Sequence, residues 1–170
     1  MYLGSRSLPG EPSDKYSKAA KQIIDTGLNC LGTTTTPEFG LTGTTESLRF
    51  GATCNPWNTA YSTGGSSGGS SALVAAGVIP IAHANDGAGS IRIPASCCGL
   101  VGLKASRGRI KDKEVPGYLP ANILHDGVVT RSVRDTWAFH AEIEKNIPAK
   151  EYPAIGLSLI HISEPTRHKT

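Results

Sequence analysis

Apolar residues recur at helical spacing in some stretches of this chain and crowd into short unbroken runs in others, with turn-forming residues between them. Tyr16, Ala19, Ala20, Ile23 and Ile24 fall three and four apart, which predicts a helix capped by Ser13 or Asp14 and stopped by Gly27. Lys15, Lys18 and Lys21 then make its solvated face. Residues 28–33, LNCLGT, read as a short strand. Residues 34–63 keep no period and pass through TPEFG and FGATCNPWN. So long an irregular passage in a compact domain either walls a functional site or is ordered by neighbouring elements.

The period returns at Gly68–Ala76, a predicted helix ended by Gly77. VIPIAHA follows as an apolar strand suited to burial on both faces. GLVGLKASRGRI supplies another strand. VTRSVRDTWAFHAEIEK starts a further helix, with Val133, Trp137 and Ile143 among its inward candidates. Alternation of this kind favours an α/β architecture, and no internal repeat is visible.

Composition narrows the partners. The 170 residues suit one domain, and 38% apolar content, 18% charged content and a net charge of +3 lack the clustered basic face of a nucleic-acid binder. Cys30, Cys54, Cys97 and Cys98 form no CxxC pair and no metal-type spacing with the five histidines. They read as reduced, buried small hydrophobes in a reducing, cytoplasmic setting, with no metal site. MYLGSRSLPG has neither the basic nor the apolar region of a secretion signal, and no apolar run is long enough to span a membrane.

The candidate chemistry lies in GGSSGGSSALVAAG, residues 64–77. A flexible linker fits poorly, because the stretch runs straight into an apolar helix and a strand. A phosphate loop would need a lysine after the glycines, and a dinucleotide fingerprint fails here and at GAGSIR, where Arg92 replaces the last glycine. GGSSG satisfies the GxSxG nucleophile elbow at Ser66, but the polar NPWNTAYST before it is no buried strand. A second turn, ANDGAGSIRIPA, sets Gly87, Ala88 and Gly89 before Ser90. Small residues let successive backbone amides converge on one point, as an oxyanion hole requires, with Ser90 as the attacking group. A plain tight turn after a strand reads equally well from composition.

Taken together, GGSSGGSSALVAAG and ANDGAGSIRIPASCCGLVGLK resemble the signature of the amidase signature family of serine hydrolases, and the spacing of 24 between Ser66 and Ser90 agrees. TPEFG, FGATCNPWN and VVTRSVRD resemble its flanking segments, so the similarity runs from about residue 4 to about residue 145. The resemblance implies a partial amidase signature fold, α/β with a mixed sheet flanked by helices. It implies hydrolysis of a small-molecule amide without cofactor, metal, nucleic acid or membrane, and it allows a homodimer of the full-length parent. Ser90 matches the nucleophile, Ser66 a bridging serine held in a cis peptide, and Ser67 a support. Asp86 would order the second turn and Arg92 anchor it, with Gly87, Ala88 and Gly89 around the oxyanion. A serine attacks only as its proton is removed, here by an unprotonated lysine through Ser66.

Two departures follow. The family's lysine lies upstream of the stretch matching GSRSLPG; Lys15, Lys18, Lys21 and Lys104 do not occupy its place, and Thr33 replaces a different lysine. The chain alone is therefore expected to be nearly inactive. LSLIHISEPTRH, residues 157–168, resembles translated sequencing-adapter DNA, so residues 1–156 are expected to be an interior fragment of an amidase domain and 157–170 a non-native tail. The wording around Ser90 is most similar to the subgroup that hydrolyses cyclic or linear aminohexanoate amides. The alternatives are a glutaminase subunit of a tRNA-dependent amidotransferase, against which Ile93 counts because glutamine is usual there, and a non-catalytic fragment.

Overall fold

The computed structural model describes residues 3–10, 14–106, 109–110 and 123–145. Ser13, part of the expected strand at 107–108 and the tail at 157–170 lie outside them.

Helix α1 spans Lys18–Ile24, and its cap is Ser17, whose hydroxyl accepts from the Ala20 amide at 3.1 Å. Of the expected caps, Asp14 sits too early, and Tyr16 precedes the helix and is exposed. Lys21 pairs with Asp25 on the solvated face, and Gly27 takes the left-handed conformation, φ +86°, just beyond the helix. No strand forms at 28–33: those residues lie outside the described ladders, and Leu28 and Leu31 are exposed. The passage at 34–63 contains a short 3-10 turn, Glu38–Gly40, and two small antiparallel hairpins. These are β1 (Glu46–Ser47) with β2 (Gly51–Ala52), and β3 (Cys54–Asn55) with β4 (Asn58–Ser62).

Helix α2 (Gly68–Ala75), strand β5 (Ile81–Asp86), helix α3 (Arg92–Cys97), strand β6 (Val101–Gly102), strand β7 (His125–Thr130) and helix α4 (Val133–Lys145) follow. The sheet order is β5-β7-β6, and every pairing described is antiparallel, with His83 opposite Val128 and Asn85 opposite Asp126. Helices and sheet combine as an α/β arrangement. Side chains alternate across a strand, so Ala84 and Val129 meet Val74 of α2 and Ile91 and Ala95 beside α3 in one core. Val128, on the other face, packs with Phe139 and Ile143 of α4. Each valine, isoleucine or phenylalanine so enclosed contributes about 1.5–3 kcal/mol relative to exposure.

Two further expectations change, and one strand is added. The inward stripe of α4 is Thr136, Phe139, His140 and Ile143, while Val133, in the open first turn, is 60% exposed and Trp137 is half-buried. The central strand β7, HDGVVT, carries no strand pattern in the sequence, because Asp126 and Gly127 interrupt its apolar residues. Of the cysteines only Cys98 is buried, its thiol pushed up to about 11 by burial and then by Cys97; Cys30, Cys54 and Cys97 are exposed. No described helix is long and apolar enough to cross a membrane.

Candidate active site

The glycines of residues 64–69 serve close approach rather than flexibility. A Cβ on Gly65 would lie 2.5 Å from the Thr44 carbonyl oxygen, and one on Gly69 2.5 Å from the Thr35 backbone. Threonines hold the segment from beneath: Thr45 Oγ1 donates to the Gly64 carbonyl at 2.9 Å and accepts from the Gly68 amide at 3.1 Å. Thr36 Oγ1 and Thr45 Oγ1 each lie 3.4 Å from the Ser66 carbonyl oxygen. The peptide bond between Gly65 and Ser66 is cis, and Ser66 is almost wholly enclosed.

Helix α2 then stitches this segment to β5. Ser67 Oγ accepts from the Asn85 amide at 3.3 Å, and Ser70 Oγ donates to the His83 carbonyl at 2.7 Å. The Ser67 amide donates to the Ser90 carbonyl at 3.3 Å, which brings the two glycine-rich turns together. Beyond the far end of α2, Arg131 donates to the carbonyls of Val74 at 2.9 Å and Ile79 at 3.0 Å, tying the helix end to the segment that leads into β5.

The second turn is organised by Asp86, the last residue of β5, whose side chain is fully buried. One carboxylate oxygen accepts from the Gly89 amide at 2.7 Å, the other from the amides of Ile91 at 3.2 Å and Arg92 at 3.4 Å. The Arg92 guanidinium adds two bonds, from Nε at 2.9 Å and NH2 at 3.0 Å. Burial by itself pushes this carboxyl up, but the bonds from Arg92, Gly89 and Ile91 and the charge of Arg92 outweigh it and hold the group below its ordinary range. Pro94 falls within the first turn of α3, where a missing amide costs no intrahelical bond.

This commitment of amides sorts the expected oxyanion group. Gly89 spends its N–H on Asp86, whereas the amides of Gly87, Ala88 and Ser90 carry no hydrogen bond among the described residues. Ala88 is exposed, and Gly87 and Ser90 are half-buried. The relay contact differs from expectation: no hydrogen bond joins the Ser66 and Ser90 hydroxyls, because it is the Ser90 carbonyl that meets the Gly-Ser segment, through the Ser67 amide. Sequence reasoning also missed Thr36, Thr45 and Asn85. The threonine-rich TTTTPEF and TGTTE stretches carried the signal, since short hydroxyl side chains suit carbonyl-rich turns.

The amidase family model matches residues 1–158 of the chain. The chain is 53% identical over 140 residues to a putative amidase, AmiC, of Mycobacterium tuberculosis, covering 82% of this chain and 30% of that one. It is 50% identical over 151 residues to a 6-aminohexanoate-cyclic-dimer hydrolase of Paenarthrobacter ureafaciens, with coverages of 85% and 30%. Among solved structures, a bacterial aryl acylamidase of the amidase signature family superposes with a TM-score of 0.74 at 35% identity, over 84% of this chain and 30% of that one. The chain spans about 30% of the length of the curated relatives it matches. From the family match over nearly the whole sequence, together with the paired turns around Ser66 and Ser90, the chain belongs to the amidase family.

Proposed function

We propose that this chain carries the nucleophile side of an amide-hydrolysing centre. Ser90 attacks the amide carbonyl, the amides of Gly87, Ala88 and Ser90 receive the developing oxyanion, and the serine proton goes to a lysine base through Ser66, whose hydroxyl, not bonded to that of Ser90 here, must close on it as substrate binds. The leaving amine takes that proton, and water then releases the acyl group from Ser90. Each amide aimed at the oxyanion is worth about 3–4 kcal/mol in such a transition state. The observation that carries this reading is the turn braced by Asp86, in which three consecutive-region amides remain available beside Ser90 while the fourth is held by the carboxylate.

No described lysine is assigned the base. Lys21 and Lys145 pair with Asp25 and Glu142 on exposed helix surface, and Lys104 follows the nucleophile. The chain by itself is therefore expected to turn amides over slowly. The names of the relatives, an aryl acylamidase and a 6-aminohexanoate-cyclic-dimer hydrolase, support carboxylic amides as the substrate class.

The test is phosphonylation by an alkyl fluorophosphonate at alkaline pH, followed by peptide mapping. Modification at Ser90, absent in Ser90→Ala, supports the assignment. Modification at Ser66 or Ser67 instead, or none at Ser90 above the level of an unfolded control, overturns it.

A further inference from the structure

The side chain of Ile93 has no place in the chemistry above, yet it occupies the junction of the loops that build it. It lies one residue into α3 and three after Ser90, with its amide donating to the Gly89 carbonyl at 2.7 Å. Its Cδ1 stands 2.7 Å from where a Cβ on Gly89 would be, and its Cγ2 3.0 Å from where one on Gly64 would be. The same Cδ1 faces Gly43 at 4.0 Å on that measure. Glycine at 64 and 89 thus leaves room for one branched apolar side chain between the cis-peptide segment and the nucleophile turn. That side chain remains 39% exposed. An isoleucine set against the backbone of Gly64 and Gly89 and still partly exposed leaves apolar surface next to the turn that ends in Ser90.

We infer that Ile93 is a specificity-determining residue, an apolar wall for the hydrocarbon adjoining the reacting carbonyl, and that the site favours amides of longer aliphatic acids over short or charged ones. This rests on the reading of Gly87–Ser90 as the carbonyl-binding turn. The physical reason is area: methylenes laid on Ile93 leave water at both surfaces, whereas a carboxylate placed there loses hydration without a partner. None of this requires turnover, so binding can be read directly.

The experiment is a titration of the full chain, carrying 13C-labelled isoleucine δ1 methyls and 15N amides, with hexanamide, acetamide and succinamate. Hexanamide is expected to shift the Ile93 methyl and the Gly87 and Ala88 amides together, and to bind about tenfold more tightly than acetamide, the effect of one to two covered methylenes. Succinamate should bind more weakly than hexanamide. In Ile93→Asn the hexanamide preference should shrink to within about twofold, and Ile93→Val, which keeps apolar surface, should retain most of it. Hexanamide shifting the Gly87 and Ala88 amides while the Ile93 methyl stays still, or a preference that survives in Ile93→Asn, overturns the inference alone. A shifted Ile93 methyl with unmoved turn amides, or no saturable binding of hexanamide, overturns the carbonyl-binding reading with it.

Discussion

Asp86 and Arg92 are joined by two hydrogen bonds, 2.9 and 3.0 Å, that close a ring of chain around Ser90. The carboxylate is fully buried while the guanidinium is 53% exposed, so the pair is anchored from the inside. The interior partner also takes the amides of Gly89, Ile91 and Arg92. Its removal should matter far more than removal of the arginine.

Accordingly, Asp86→Ala should lower stability by about 2–4 kcal/mol, since buried donors lose a charged acceptor. Arg92→Gln should cost clearly less, because the amides of Gly89, Ile91 and Arg92 still hold the carboxylate. Urea unfolding followed by circular dichroism measures both, and equal losses would contradict the picture.

Acid should weaken the fold in two steps. His140, fully enclosed beside the Arg109–Glu144 ion pair, is held at about 4 chiefly by burial, against an ordinary 6.5, with Glu144 opposing and Arg109 adding to the depression. Between those values the unfolded chain binds the proton and the folded chain does not, so stability is full above 6.5 and declines as pH falls towards 4. The decline amounts to about 3 kcal/mol. His140→Leu should flatten it. Asp86, with its carboxyl held low, contributes stability above the ordinary carboxylate range, lost only as pH falls further through its folded value. Urea midpoints from pH 7 to pH 3 follow both steps.

The two ends of α4 should respond oppositely to truncation. Ile143, with no exposed surface, is expected to cost about 2–5 kcal/mol as Ile143→Ala. Val133→Ala, at an exposed position, should stay within about 0.5 kcal/mol. Thermal unfolding of the two variants against the parent chain separates these outcomes.

If the chain wants only a base, a small amine should supply one. Free propylamine is expected to accelerate phosphonylation of Ser90 at least about tenfold over buffer of the same pH, a modest share of what a positioned base contributes. Ser66→Ala should remove most of that acceleration, since the proton then loses its relay. Acceleration that is indifferent to Ser66 would remove this serine from the proton path.

The amino-acid sequence by itself determined the chemistry-bearing turns, because their meaning is local. Gly87, Ala88 and Gly89 before Ser90, with Asp86 ahead, bring small residues, a hydroxyl and a carboxylate within reach of one another by chain connectivity alone. Helix α2 and helix α4 were legible for the same reason, their periods lying within a few turns. Tertiary structure decided what depends on distant partners. LNCLGT stays outside the sheet, with no described strand beside it, while HDGVVT, interrupted by Asp126 and Gly127, becomes the central strand because β5 and β6 flank it. It also decided which amides are available: only the folded turn shows that Asp86 takes the Gly89 N–H and leaves those of Gly87, Ala88 and Ser90. Hydrogen-bond partners far apart in sequence, like Thr45 and Gly64 or Ser67 and Ser90, carry no periodic signal, since their pairing is set by packing rather than by the order of residues.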